Sequence, residues 1–156
     1  MAFSFRSRAG VVMALSITAL HATVANAADI LGVWMIDDGN SAVEIQLCGD
    51  ARCGRTVRLN QPLDDQGAPM RDINNPDPAS RHLPLCGAEV IHGVIRQSDD
   101  SWDGGSIYDP EDGKSYKVML RADGTSLEVR GYLDTKTLGE TMIWTRVKAH
   151  LKRCLG

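Results

Sequence analysis

The sequence predicts an all-β protein: a single eight-stranded antiparallel up-and-down β-barrel with one long Pro/Asp-rich loop between the third and fourth strands. Three observations predict it. Apolar and polar residues alternate with period two in eight short runs. Turn formers separate most of those runs at close spacing, as in sandwiches and barrels. No segment offers an amphipathic helix of useful length. Such a meander has two open edges unless its last strand pairs with its first, and closure removes both.

The elements follow in order. Gly32–Ile36 is the first strand, ended by the turn Asp37-Asp38-Gly39-Asn40. Ala42–Cys48 is the second, with Val43, Ile45 and Leu47 on one face and Glu44 and Gln46 on the other. Cys53–Leu59 is the third. The stretch Met70–Gly87 then carries Pro76, Pro78 and Pro84 and no hydrophobic period. Loops of this length are often lids or binding loops. Within it, Asn75–Arg81 reads as one helical turn, with asparagine as cap and proline first. Glu89–Arg96 is the fourth strand, followed by the turn Ser98-Asp99-Asp100-Ser101. Trp102–Tyr108 is the fifth, with a bulge or bend expected at Gly104-Gly105. Asp109-Pro110-Glu111-Asp112-Gly113 turns the chain, proline presetting φ and glycine permitting a positive one. Ser115–Leu120, Ser126–Leu133 and Glu140–Val147 complete the set, with Tyr116, Val118 and Leu120 directed inward.

Residues 1–27 read as a secretory signal. Arg6 and Arg8 form the basic region, Ala9–Leu20 the apolar run, and Ala25-Asn26-Ala27 the small-residue cleavage site. The chain therefore divides into a signal peptide (1–27), a barrel (28–147) and a short tail (148–156). The expected location is periplasmic or secreted after cleavage near Ala27. The apolar run is too short to span a bilayer comfortably, so no membrane span is expected. Losing Arg6 and Arg8 from the 17 basic residues leaves 15 against 20 acidic ones, a net charge of −5. An acidic chain without a basic run argues against nucleic acid as a partner.

Export places Cys48, Cys53, Cys86 and Cys154 where disulfides persist. Cys48 and Cys53 flank Gly49-Asp50-Ala51-Arg52 at a hairpin turn, the geometry a bridge needs. So short a loop gains roughly 2 kcal/mol, whereas the remaining pair, Cys86–Cys154, closes a far larger one and contributes roughly 4 kcal/mol. Two free thiols are the alternative for that second pair. A zinc half-site is the rival for the first, but no second half of matching spacing exists.

In a closed barrel the first and last strands are neighbours. Trp34 then lies beneath the guanidinium of Arg146, a contact worth about 0.5–2 kcal/mol. The Gly32-Val33-Trp34 and Trp144-Thr145-Arg146 pair resembles the Gly-x-Trp and terminal-arginine arrangement of lipocalins and related calycins. An interior of this size is filled by side chains or holds one small ligand, and Trp34, Val43, Ile45, Tyr116, Val118 and Val129 are the candidates to line it.

Other chemistry finds little support. His82, His92 and His150 lack the spacing of a metal site. His92 alternates with Val90 and Val94 and reads as a half-buried strand histidine. There is no nucleophile elbow, P-loop or dinucleotide fingerprint, so no cofactor is expected. Carboxylates cluster at Asp64, Asp65, Asp72 and Asp77 and again around Asp99, Asp100, Asp103, Asp109, Glu111 and Asp112. Next to glycine and proline these are chiefly turn formers, and neither cluster has calcium-loop spacing. A paired-carboxylate hydrolase finds no pair selected.

The stretches GVWMIDDGNSAVEI, CGDARCGR, LDDQGAPMRDINNPDPASR, WDGGSIYDPEDGKSY, VRGYL and LGETMIWTRV together resemble exported bacterial proteins grouped as domain-of-unknown-function family 2147. The resemblance spans about Ile30–Val147. It implies a lipocalin-like barrel and no established activity, and no catalytic residue carries over. The expected function is binding of a small apolar or amphipathic ligand, with an envelope protein-interaction or stress module built on a solid barrel as the alternative. Loop candidates for contact are Asp72, Asn74, Asn75, Asp77, Arg81, Asp103 and Asp109.

Overall fold

The computed structural model describes residues 29–36 and 39–154. The expected signal segment lies outside the described residues, as do Asp37 and Asp38 of the first expected turn and Leu155 and Gly156 at the end of the tail. Eight strands follow one another: β1 (Gly32–Met35), β2 (Ala42–Cys48), β3 (Ala51–Arg58), β4 (Glu89–Arg96), β5 (Trp102–Asp109), β6 (Lys114–Asp123), β7 (Ser126–Tyr132) and β8 (Glu140–Arg146). Each pairs antiparallel with the next, and β8 returns to β1 to close the barrel. Closure rests on two residue pairs, Trp34 with Arg146 and Met35 with Thr145.

Two strand bounds change the picture. β3 begins at Ala51, two residues early, so the β2–β3 turn is Gly49-Asp50 rather than four residues. Cys48 then opposes Ala51 and Cys53 opposes Gln46. The Cys48–Cys53 disulfide consequently bridges the hairpin diagonally, with Cα atoms 5.8 Å apart. β6 runs three residues further than Leu120, its ladder with β7 unbroken to Asp123–Ser126. No helix forms in the tail, where residues 147–154 are irregular.

Alternation fails at one functional place. Ile91 and Val94 are both buried in the core although three residues apart. Gly93, at φ +64°, is the extra residue between them, and the β3–β4 register shifts there. Only glycine adopts that conformation without penalty. His92 therefore faces outward and is exposed, correcting its reading as a half-buried strand histidine. The bulge expected at Gly104-Gly105 falls between Trp102 and Gly105.

The inward faces build one packed core that includes Trp34, Ile45, Ile91, Trp102, Leu120, Leu127, Val129 and Trp144. One end, the base, is closed by two arginine–tryptophan stacks. The Arg146 guanidinium lies 4.1 Å from the Trp34 ring centroid and Arg52 lies 4.7 Å from that of Trp102. Arg146 also donates to the Leu31 and Asp29 carbonyls at 2.7 and 2.8 Å, and Trp34 Nε1 donates to Ile30 O at 2.7 Å. The N-terminal segment is thereby drawn across the base.

Candidate functional site

Residues 59–88 leave β3 at the other end of the barrel and return to β4. The segment is braced by two isolated antiparallel bridges, Leu63–Pro69 and Arg71–Pro84. Its central part docks on the outer wall. The Tyr108 hydroxyl donates to Asp72 Oδ1 at 2.7 Å, and Asn75 Nδ2 donates to Asp72 Oδ2 at 2.7 Å. Asn74 Nδ2 donates to the carbonyls of Pro110 and Glu111 at 3.1 and 2.9 Å. A methyl group on Gly113 would lie 2.1 Å from the Asn74 carbonyl oxygen. The sequence stretches DINNPDP and WDGGSIYDPEDGK are thus the two halves of one docking contact.

The expected helical turn is instead a run of tight turns. Pro78 disfavours the α region for Asp77 before it, which opposes a helical turn here. Asn75 Oδ1 still accepts from Asp77 N at 3.0 Å, and Asp77 accepts from Ala79 N and the Ser80 hydroxyl at 3.0 and 2.8 Å. Those bonds hold the Asp77 carboxyl below its ordinary range. Arg81 Nε donates to Asn75 O at 2.7 Å. Asp109 accepts from Glu111 N within its own turn at 2.8 Å. These side chains shape the loop and its anchor.

Between loop and wall lies a cleft of about 520 Å³, within the range of small-molecule sites. Asp72, Asn75, Pro76, Ser80, Leu83 and Pro84 line it from the loop, and Arg55, Glu89, His92, Tyr108 and Ser115 from the wall. Glu89 sits between two partners. Arg55 Nη2 lies 2.9 Å from Glu89 Oε2, and His92 Nδ1 lies 2.8 Å from Glu89 Oε1. Asp72 reaches the cleft from beneath, only 5% exposed. Burial first, then the hydrogen bond and charge of Asp72, push the Tyr108 phenol up to about 12.

A second recess of about 190 Å³ shares Arg55 and Gly87 with the first. The tail forms its far side. Cys154 is bonded to Cys86, its N–H donates to Val57 O at 3.0 Å, and Arg153 makes a two-pronged pair with Glu44 at 2.8 and 2.7 Å. That pair lowers the Glu44 pKa.

Of the expected loop contacts, Asp72 and Asn75 reach the cleft. Asn74, Asp77, Arg81 and Asp109 do not line it. Asp103 is elsewhere, bonded to Lys136 and accepting from the Tyr132 hydroxyl at 3.1 Å. Among the interior candidates, Trp34, Val43, Ile45, Val118 and Val129 are packed into the core. Tyr116 is only half-buried and donates to Asp112 at 2.6 Å. None of the six lines either cleft. Sequence reasoning missed Arg55, Glu89, Tyr108 and Ser115. The available signal was a charged residue on each of two strands flanking the long loop.

The His92–Glu89 contact has the form of a base held by an orienting carboxylate. Among the described residues, His92 makes no hydrogen bond to a serine or cysteine, and no three His, Cys, Asp or Glu gather to hold a metal. The cleft has the makings of a binding site: an apolar lip, an aromatic wall and a few polar groups.

Residues 32–146 match the family model described as uncharacterised protein conserved in bacteria, DUF2147. No curated protein matches the chain. Among solved structures, one similar chain is protein HP1028 from Helicobacter pylori, described as belonging to the lipocalin family. The two share 23% identity with a TM-score of 0.65, over 77% of this chain and 84% of the other. That likeness concerns the fold.

Proposed function

The chain belongs to the DUF2147 family, and from that premise we propose that it is an exported, non-catalytic binding protein that holds a small amphipathic molecule between its long loop and the outer wall of the barrel. One observation carries this reading: the docked loop leaves a cleft of about 520 Å³ lined by apolar residues (Pro76, Leu83, Pro84) together with hydrogen-bonding groups. The packed interior acts as scaffold. Two disulfides support export, since such bonds persist in oxidising compartments.

Native mass spectrometry of protein recovered from the cell envelope tests the proposal. The expected result is a copurifying small molecule that is absent from the Ala88→Trp variant, in which an indole fills the cleft. A molecule retained equally by that variant, or none at all, defeats the reading.

A protein-interaction module is the second reading. Ile73 and Leu138 are 70% and 85% exposed on the loop end of the barrel, and would serve as apolar contacts for a protein partner. Pull-down with intact protein and with residues 64–83 deleted separates the two. Partner loss with retained folding and an empty cleft favours this alternative.

A further inference from the structure

We propose that the ligand of the flank cleft is an organic cation, an ammonium or guanidinium head on an apolar body, received by Asp72 beside the Tyr108 ring. This rests on the binding reading above and names the chemical class. The central observation is Asp72. Its carboxylate is 5% exposed and lines the cleft, yet it takes part in none of the ion pairs among the described residues. Its partners are two neutral donors, the Tyr108 hydroxyl and the Asn75 amide. A carboxylate accepts about four hydrogen bonds, so each oxygen retains capacity. Buried charges are ordinarily paired, because desolvation of a lone ion costs several kcal/mol.

The surrounding charge has the same sign. The cleft is lined by Asp72 from the loop and Glu89 from the wall against one guanidinium, Arg55, with His92 beside Glu89. That guanidinium is already occupied by Glu89 and by the Gly87 carbonyl at 3.3 Å. Asp109 and Asp112 add negative potential at Tyr108. An anion entering here meets the Asp72 carboxylate and no unengaged cation. A cation meets a buried carboxylate and an aromatic ring, the combination that attracts ammonium groups. Pro76, Leu83 and Pro84, which also line the cleft, suit an apolar body.

Three probes sharing a six-carbon chain separate the outcomes: hexyltrimethylammonium, hexanesulfonate and 1-hexanol, titrated against the full oxidised protein and read by amide NMR. Hexyltrimethylammonium is expected to shift Asn75, His92 and Ser115 saturably. Asp72→Asn is expected to weaken that binding by at least about fivefold, as loss of a close charge partner does. Because Asp72 also docks the loop, Glu89→Gln serves as a second variant: it leaves the Arg55 guanidinium without its ion-pair partner beside the cleft, with about two- to threefold weakening of cation binding expected. Saturable binding of hexanesulfonate at these residues overturns the charge assignment while leaving a binding cleft in place. Equal binding of all three probes overturns it likewise, pointing to apolar recognition alone. No response to any probe defeats the cation assignment, while the copurification experiment independently decides whether the cleft binds at all.

Discussion

Replacing Gly113 by alanine separates the docking of the long loop from the stability of the barrel. Gly113 has φ +69°, and an added Cβ would lie 2.1 Å from the Asn74 carbonyl oxygen and 3.0 Å from its carbon. Two costs follow. A non-glycine residue in the left-handed region costs roughly 1–2 kcal/mol. The clash is with backbone, so the loop must withdraw. Asn74 then loses its bonds to Pro110 and Glu111, at about 0.5–1.5 kcal/mol each. The sum is about 2–5 kcal/mol. Gly124→Ala is the matched control. Its φ is +56°, but nothing lies within 4 Å of the new methyl, so only the backbone cost of roughly 1–2 kcal/mol applies. Urea unfolding of both variants measures the difference, expected near 1–3 kcal/mol. Hydrogen exchange supplies the local readout: residues 70–85 are expected to lose protection in Gly113→Ala and keep it in Gly124→Ala. Equal midpoints with equal protection would refute the docking argument.

Cys86→Ser, which frees the tail from the loop across a sequence separation of 68 residues, is expected to cost about 4 kcal/mol by loop-closure entropy, measured by urea unfolding against the oxidised parent. Arg146→Ala removes the stack on Trp34 and the bonds to Leu31 and Asp29. A loss of about 2–4 kcal/mol is expected, with increased exchange in β1 and β8. The Glu44 pKa is lowered in the folded state by its hydrogen bond to Arg153, so this pair stabilises fully above the unfolded carboxylate value near 4.5 and its contribution fades as pH falls through the lower folded value. Glu44→Gln is therefore expected to be less stable than the parent at pH 7 and to converge with it at the acid end of a stability–pH series.

The barrel was legible because its evidence is local and repeated. Period-two alternation in Val43-Glu44-Ile45-Gln46 or Tyr116-Lys117-Val118 needs no knowledge of the rest of the chain. Closure was legible for a different reason: an even meander has two edges to hide, and Trp34 and Arg146 occupy complementary positions on them. Strand ends were less so. Ala51 and Arg52 read as turn residues, yet a two-residue turn at Gly49-Asp50 lets both join the ladder. The face of His92 was hidden by one glycine. Gly93 inserts a residue and reverses parity, and period-two counting across a bulge returns the wrong side. The cleft was hidden because it is made across long sequence separations: Asp72 with Tyr108, Asn74 with the turn at Pro110, and Arg55 with Glu89.

That distance also bears on how the distinctive motifs should be weighed. A segment crowded with aspartate and asparagine invites a catalytic or metal reading, but most of these side chains are used up in holding the chain. Asn74 is spent on two carbonyls, Asp77 on its own turn, and Asp109 on the turn that receives Asn74. Asp72 differs. Fastening the loop uses both oxygens, Oδ1 for Tyr108 and Oδ2 for Asn75, but a buried carboxylate with no cation beside it is a costly way to do it. Asparagine at that position would offer one acceptor oxygen and avoid the charge. A charge retained there without a cation gives Asp72 a second task beyond docking, and the cleft it lines is where that task is performed.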